Sequence, residues 1–329
     1  MLDRMGRITS AAVAIILAVS LSSAAFAVQK KDDKKKKDSK EAAEKPKEMP
    51  QGTPVLWREQ NIESLDLFRG EGLQPDLSKV TFVKEDTSGT SEKYRVTDGQ
   101  GREWVAKVGS EAQSEIAAVR LLWAAGYFTE IAHLAPSVDI IGKGPHKNVR
   151  FELRTKERKR HGFWGWASNP FAGKRELQGL KVMMALINNW DLKDDNNLLL
   201  TTSDAPGQVL YAISDLGATF GKTGSGALWR LKRSRNNPAD YAKSKFLNGV
   251  KDGRVDFTFS GVNSEMMDDI TVADARWIGG LLARLSDKQL NDAFRAANYT
   301  PAEINMLTQA VRGRINDLTR LPGAEASSK

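Results

Sequence analysis

The chain contains no cysteine and only three histidines in 329 residues. The lack of cysteine excludes disulfides, thiolate metal sites, cysteine nucleophiles and lipid attachment through sulfur. The histidines, His133, His146 and His161, stand in separate contexts, so a histidine zinc centre or a serine triad has no support. There is no internal repeat. Beyond the amino-terminal region no apolar run approaches the roughly 20 residues that cross a bilayer.

At the amino terminus, Arg4 and Arg7 precede an apolar run over residues 11–19, and Ala25-Phe26-Ala27 closes the segment. A charged head, an apolar middle and a small-residue exit describe a secretory signal over 1–27, with cleavage expected after Ala27. A retained anchor is the alternative, and the shortness of the uninterrupted apolar run argues against it. Export without cross-links suits the periplasm of a Gram-negative bacterium or secretion beyond it. Residues 28–54 read as a disordered linker, because residues 30–50 are lysine-rich, carry scattered acids and have almost nothing large and apolar to bury. Part of the formal net charge of +8 lies there. A solvated spacer and a contact with anionic envelope polymers are both open readings of it.

The chain, 329 residues at 40% hydrophobic content, is long enough for one two-lobed domain or two small ones. Residues 80–83, 93–96 and 104–108 read as strands, the last two joined by the turn Asp98-Gly99-Gln100-Gly101. Residues 114–125 carry Ile116, Val119, Leu121 and Leu122 at helical spacing and end at Gly126. Short strands are expected at 138–141 and 149–153, completing a sheet-rich lobe over 55–155. Residues 156–175 read as a basic and aromatic insert. A helical lobe follows over 176–322, in which Leu177, Leu180, Met184 and Ile187 mark one helix. A strand is expected at 209–213 and helices at 273–285, 288–298 and 301–318, the last opened by Thr300 and Pro301. Residues 323–329 read as a disordered tail. The expected class is α+β: a small antiparallel sheet with one helix, then a larger helical lobe.

The densest polar stretch, Asn189-Trp190-Asp191-Leu192-Lys193-Asp194-Asp195-Asn196-Asn197, lies between a helix and an apolar strand. A second polar tip, Ser214-Asp215-Leu216-Gly217, follows the next strand. Adjacent hairpin strands bring the two tips together. Carboxylates, a cation and an amide in such a cluster suit phosphoryl transfer, which needs oxygens for a metal, a carboxylate for the acceptor hydroxyl and a cation over the moving group. Taken alone, such an acidic loop is also a common self-satisfied turn.

Asp191-Leu192-Lys193-x-x-Asn196 resembles the catalytic loop of the protein-kinase superfamily, and Asp215-Leu216-Gly217 resembles its metal-binding Asp-Phe-Gly turn. Asn189-x-Asp191-x-x-x-x-Asn196 is also similar to the shorter loop of HipA-type and phosphatidylinositol kinases. Upstream, Val105-Ala106-Lys107 resembles the nucleotide-anchoring strand, with Glu115 as the helix partner of the lysine and Glu111 as an alternative. The resemblance covers roughly residues 80–220 and implies a bilobal kinase-like fold. By this likeness Lys107, positioned by Glu115, contacts phosphates, and Asp191 orients or deprotonates the attacking hydroxyl. Lys193 offsets charge on the transferred group, Asn196 and Asp215 hold Mg2+ or Mn2+, and the backbone of Ser88, Gly89 and Thr90 covers the phosphates of ATP or another nucleotide. The sequence departs from the pattern in three places. The phosphate loop has the single glycine Gly89, Asn189-Trp190 replaces His-Arg, and no Ala-Pro-Glu follows Gly217.

Two functions are therefore carried forward. One is an exported phosphotransferase that moves a phosphoryl, or a nucleotidyl, group to a hydroxyl acceptor. The other is a catalytically weakened pseudokinase-like binding protein of the envelope. In residues 150–175, Arg154, Lys156, Arg158, Lys159, Arg160, Lys174 and Arg175 interleave with Phe163, Trp164, Trp166 and Phe171. They suit either an anionic surface or a packing loop. Lys222, Arg230, Lys232, Arg233 and Arg235 suit either an anionic substrate or plain solvation. Nucleic acid is not an expected partner of an exported chain.

Overall fold

The computed structural model describes residues 49–87, 91–224, 226 and 228–322, all in one compact unit that begins at Met49. The expected export signal, most of the lysine-rich stretch expected to be a linker, Ser88, Gly89 and Thr90, and residues 323–329 lie outside the described residues.

A short strand, β1 (Thr53–Val55), precedes five longer ones: β2 (Val80–Glu85), β3 (Lys93–Thr97), β4 (Glu103–Lys107), β5 (Ala132–Ile141) and β6 (Gly144–Arg154). Helix α1 (Ala112–Ala124) links β4 to β5. The five strands run in the order β2-β3-β4-β6-β5 and close into a barrel. Every pairing is antiparallel except β2 with β5, which is parallel through Val80 and Ile140 and makes the closure. The short strand segments expected at 138–141 and 149–153 belong to a hairpin of ten and eleven residues. That length is what lets the far end of β5 reach β2.

Alternation decides what each face does. Val96, Trp104, Ala106, Val149 and Phe151 fill the barrel. Their neighbours Val105, Lys107, Arg150 and Glu152 point the other way and are buried as well. Ile116, Leu121 and Leu122 of α1 pack into the larger core that runs on into the second lobe.

The second lobe starts with β7 (Arg158–Gly162) and α2 (Arg175–Leu186), followed by the hairpin β8 (Asn197–Thr202) and β9 (Gln208–Ile213). These strands form a four-stranded sheet in the order β1-β9-β8-β7. A one-turn helix α3 (Trp229–Lys232), α4 (Pro238–Lys243) and the hairpin β10 (Leu247–Lys251) with β11 (Arg254–Phe257) lead into α5 (Val272–Ala283), α6 (Asp287–Ala296) and α7 (Pro301–Thr319). Capping boxes from Ser286 with Gln289 and Thr300 with Glu303 start the last two helices. No described helix is long and apolar enough to cross a membrane.

The 156–175 stretch is woven into this lobe, and the packing alternative describes its aromatic residues. Trp164, Trp166 and Phe171 are 3%, 6% and 8% exposed. The Trp164 indole donates to the Ala212 carbonyl at 3.0 Å, and its ring lies 5.1 Å from Trp166 and 5.8 Å from Tyr211. Phe163 alone of the four aromatics stays in solvent. Large rings spaced by Gly165 and Asn169 have a sheet and the start of α2 to cover, which an exposed loop would not provide.

Candidate functional site

Lys107 ends β4, and α1 begins five residues later, which puts Glu111 and Glu115 one helical turn apart beside the ammonium. Both carboxylates reach it: Lys107 Nζ lies 2.9 Å from Glu111 Oε2 and 3.3 Å from Glu115 Oε2. A third, Asp215 Oδ1 from the second lobe, lies at 3.0 Å. Burial lowers the pKa of Lys107, but Glu115, with Asp215 and Glu111, outweighs burial and the nearby Arg150 and raises it above the ordinary lysine value. Burial likewise works against a charged Asp215, and the charge and hydrogen bond of Lys107 hold its carboxyl below the ordinary aspartate range. Each member of the pair keeps the other ionised. On β3, Lys93 pairs across the ladder with Lys107 and is a second cation on this face, with burial pulling its pKa down.

Asp215 itself is at φ 48, a left-handed conformation that a non-glycine residue adopts only when its surroundings hold it there. Those surroundings are α1 and the rest of the turn. Ser114 Oγ donates to the Gly217 carbonyl at 2.9 Å, and Thr219 Oγ1 donates to Leu216 O at 2.9 Å. At Gly217 a Cβ would stand 2.8 Å from Glu111 Cβ, so glycine is what allows helix and turn to touch.

Asn197 pairs with Ile213 in the β8–β9 hairpin, and just beyond that rung Ser214 N donates to the Asn196 carbonyl at 2.8 Å. The two polar tips are therefore stitched together by backbone. Asn196 Nδ2 donates to Asp191 O at 2.7 Å, which turns the amide oxygen away from the backbone. Lys193 Nζ meets Asp191 Oδ2 at 2.9 Å. Two neighbours in the loop have structural tasks: Asp194 Oδ1 accepts from Trp166 N at 3.0 Å, and buried Asn197 donates to Trp164 O at 2.9 Å.

This loop rests on a support that no motif announced. Asn188 is left-handed at φ 54, and its side chain donates to Gly221 O at 2.7 Å. Buried Arg314 of α7 donates to Leu186 O at 2.8 Å and Asn188 Oδ1 at 2.9 Å. Trp190 Nε1 donates to Ser234 O at 2.9 Å, and the Arg233 guanidinium lies 3.9 Å from the centre of its ring. Part of the basic stretch is thus built against the residue preceding Asp191.

A second feature missed in the sequence is a ladder of buried charges behind Lys107. Arg150, its cross-strand partner, binds Glu115 Oε1 through Nη1 and Glu152 Oε2 through Nη2, the latter at 2.7 Å. Glu152 continues to Arg154, and Arg154 and Arg160 both reach Glu130. Burial and the facing Glu152 push the Glu130 carboxyl up; burial opposes ionisation of Glu152 too, but Arg154 and Arg150 hold it low. The only sequence signal was Arg150, Glu152 and Arg154 alternating with Val149, Phe151 and Leu153, a pattern that ordinarily marks a solvated strand face.

Asp215 and Asn196 offer hard oxygen donors of the kind a divalent cation takes together with phosphates and water, so the residues fit magnesium or manganese. Among the described residues no group of three or more His, Cys, Asp or Glu side chains is placed to hold a metal ion. A cavity of about 230 Å3 opens beside Lys107, lined also by Ser91, Gly109, Ser110, Glu111 and Arg235.

Among solved structures, the chain resembles the Helicobacter pylori proinflammatory kinase CtkA at 12% identity, over 73% of this chain and 95% of that one, with a TM-score of 0.45. HipA of the Shewanella oneidensis toxin–antitoxin system matches at 12% identity over 77% of this chain and 69% of that one, with a TM-score of 0.36. The Chaetomium thermophilum Rio2 kinase, solved as an ADP/Mg2+-phosphoaspartate complex, matches at 11% identity over 72% of each chain, with a TM-score of 0.27. No family model matches the sequence, and no curated protein matches it.

Proposed function

We propose that this chain is an exported, metal-dependent phosphotransferase that moves a phosphoryl group from a nucleotide to a hydroxyl acceptor. The observation that carries the reading is the Lys107 ammonium spanning 3.3 Å to Glu115 in the sheet lobe and 3.0 Å to Asp215 in the helical lobe. Lys107 would turn from its carboxylates onto phosphate oxygens while Glu115 holds it in line. Asp191 would orient the acceptor hydroxyl and take its proton, and Lys193 would offset charge on the transferred group. Asn196 and Asp215 would hold magnesium, which supplies neutralisation of the phosphate charge when bound. A nucleotidyl transfer would use the same cluster, and ATP is one of several donors that fit.

A second reading, a weakened pseudokinase-like envelope protein that binds without turnover, is favoured by one observation. Lys107 faces three carboxylates, and Glu111 competes directly with any phosphate for it.

The test is incubation of the mature chain with labelled nucleotide, magnesium or manganese and an envelope extract, beside an Asp215→Ala control. Label transfer by the wild type and a drop of roughly a hundredfold or more in the control support the enzyme. Equal labelling in both rejects it.

A further inference from the structure

We infer that Arg150 is a positioning residue: it pins Glu115 from the side opposite Lys107 and so fixes the direction in which the lysine ammonium is presented. The inference rests on the phosphotransfer reading of the Lys107 cluster and goes one residue further.

Glu115 is 1% exposed and has two oxygens with different partners. Oε2 faces Lys107 at 3.3 Å, and Oε1 is bound by Arg150 Nη1. A carboxylate held at both ends cannot rotate about its last bond without breaking an ion pair in a buried site. Arg150 is fixed in turn, because it sits opposite Lys107 in the β4–β6 ladder and its Nη2 is bound to Glu152 at 2.7 Å. The guanidinium is a planar fork matched to two carboxylates at once, whereas a lysine ammonium there would hold each less rigidly.

The charges explain why a cation is needed at this place. Lys107 answers three carboxylates, Glu111, Glu115 and Asp215. Without Arg150 the buried Glu115 would depend on Lys107 alone and draw it back toward α1. With Arg150 present, Glu115 is half satisfied from behind, and Lys107 is left to serve the cleft. Arg150 itself is 5% exposed and points to α1, so it acts through Glu115 and does not meet the nucleotide.

The experiment is a double-mutant cycle on magnesium–nucleotide binding and turnover. Arg150→Met is expected to weaken nucleotide binding and lower kcat/KM by roughly tenfold or more, the scale of one charged hydrogen bond. Arg150→Lys should recover part of that loss. In a Glu115→Gln background the same Arg150→Met change should have almost no further effect. An equal loss in both backgrounds, or no loss in either, overturns the inference. If Arg150→Met alone fails to fold because Glu152 is stranded, Arg150→Met with Glu152→Met carries the cycle.

A readout that needs no nucleotide separates this inference from the function it rests on. In the wild type the Arg150 Nη1 group should give resolved, slowly rotating N–H resonances by NMR that collapse in Glu115→Gln, while those of Nη2, held by Glu152, persist. Collapse with no nucleotide binding by the wild type leaves the pinning of Glu115 standing and rejects phosphotransfer. Resonances indifferent to Glu115→Gln reject the pinning itself.

Discussion

His133 lies on β5, 3% exposed, against the Trp104 ring, and Arg120 Nη2 approaches its Nδ1 at 3.0 Å. An arginine only donates, so Nδ1 accepts and the ring proton sits on Nε2. Burial first, then the Arg120 cation, depress the imidazole pKa to about 3. The folded ring therefore stays neutral to about pH 3, while the unfolded ring takes a proton near the ordinary value of about 6.5. Between those limits the unfolded state binds more protons, so this contribution is fully present above the unfolded value and is lost as pH falls. Denaturant titrations at pH 7, 6 and 5 should show stability dropping by about 1 kcal/mol per unit once below pH 6. His133→Gln should flatten that slope; an identical slope in the variant would mean the ring is not the group responsible. The Lys107–Asp215 pair has one group of each sign. Its raised lysine contributes below the unfolded lysine pKa and its lowered aspartate contributes above the unfolded aspartate pKa, so it holds across the neutral range.

At the scale of elements, one contact that joins the lobes is α1 against the turn at Gly217. Gly217→Ala places a methyl 2.8 Å from Glu111 Cβ, an atom fixed at the start of the helix. The variant should lose about 1–3 kcal/mol, the usual cost of overpacking, and lose activity beyond what that instability explains. Denaturant midpoints and nucleotide affinity measured together check this, and affinity unchanged in a folded variant would detach the turn from the site.

The same scale shows what could be read in advance. Helices with a clear apolar stripe or a Ser or Thr cap were legible within a few residues: the 301–318 reading became Pro301–Thr319, and 273–285 became Val272–Ala283. Lys107, Asp191, Asn196 and Asp215 were picked out by their resemblance to kinase-family motifs, and the structure brings Lys107 to Asp215 and Asn196 to Asp191. The barrel closure was not legible, because a parallel pairing between β2 and β5 leaves no local mark. β1 and β10–β11 were missed for a related reason: their residues pair far along the chain or carry too little alternation to separate strand from loop. The buried ladder of Arg150, Glu152 and Arg154 was not legible because charge on alternate strand positions ordinarily faces water, and here Glu115 of α1 and Arg160 of β7 lie over it. Glu111 and Glu115 could not be ranked from spacing, since a helical turn presents both.

For the molecule as a whole, the export reading and the fold make separate demands. The apolar run over 11–19 and the exit Ala25-Phe26-Ala27 predict a mature chain starting at Val28, which intact-mass measurement on protein recovered from the cell envelope or medium would show; a mass that retains Met1 in that fraction would reject cleavage. The folded unit from Met49 onward brings together one cation, three carboxylates and a loop of amide and carboxylate from two lobes. If that convergence exists to hold a metal–polyphosphate, the ligand must stabilise the native state. Thermal unfolding with a panel of nucleotides, with and without magnesium, measures this directly. At a hundred times the dissociation constant a true ligand adds about 2.7 kcal/mol. The wild type should show a metal-dependent rise for at least one nucleotide that Lys107→Met and Asp215→Ala both lose, whereas a rise that survives both substitutions, or no rise with any nucleotide, would contradict the account.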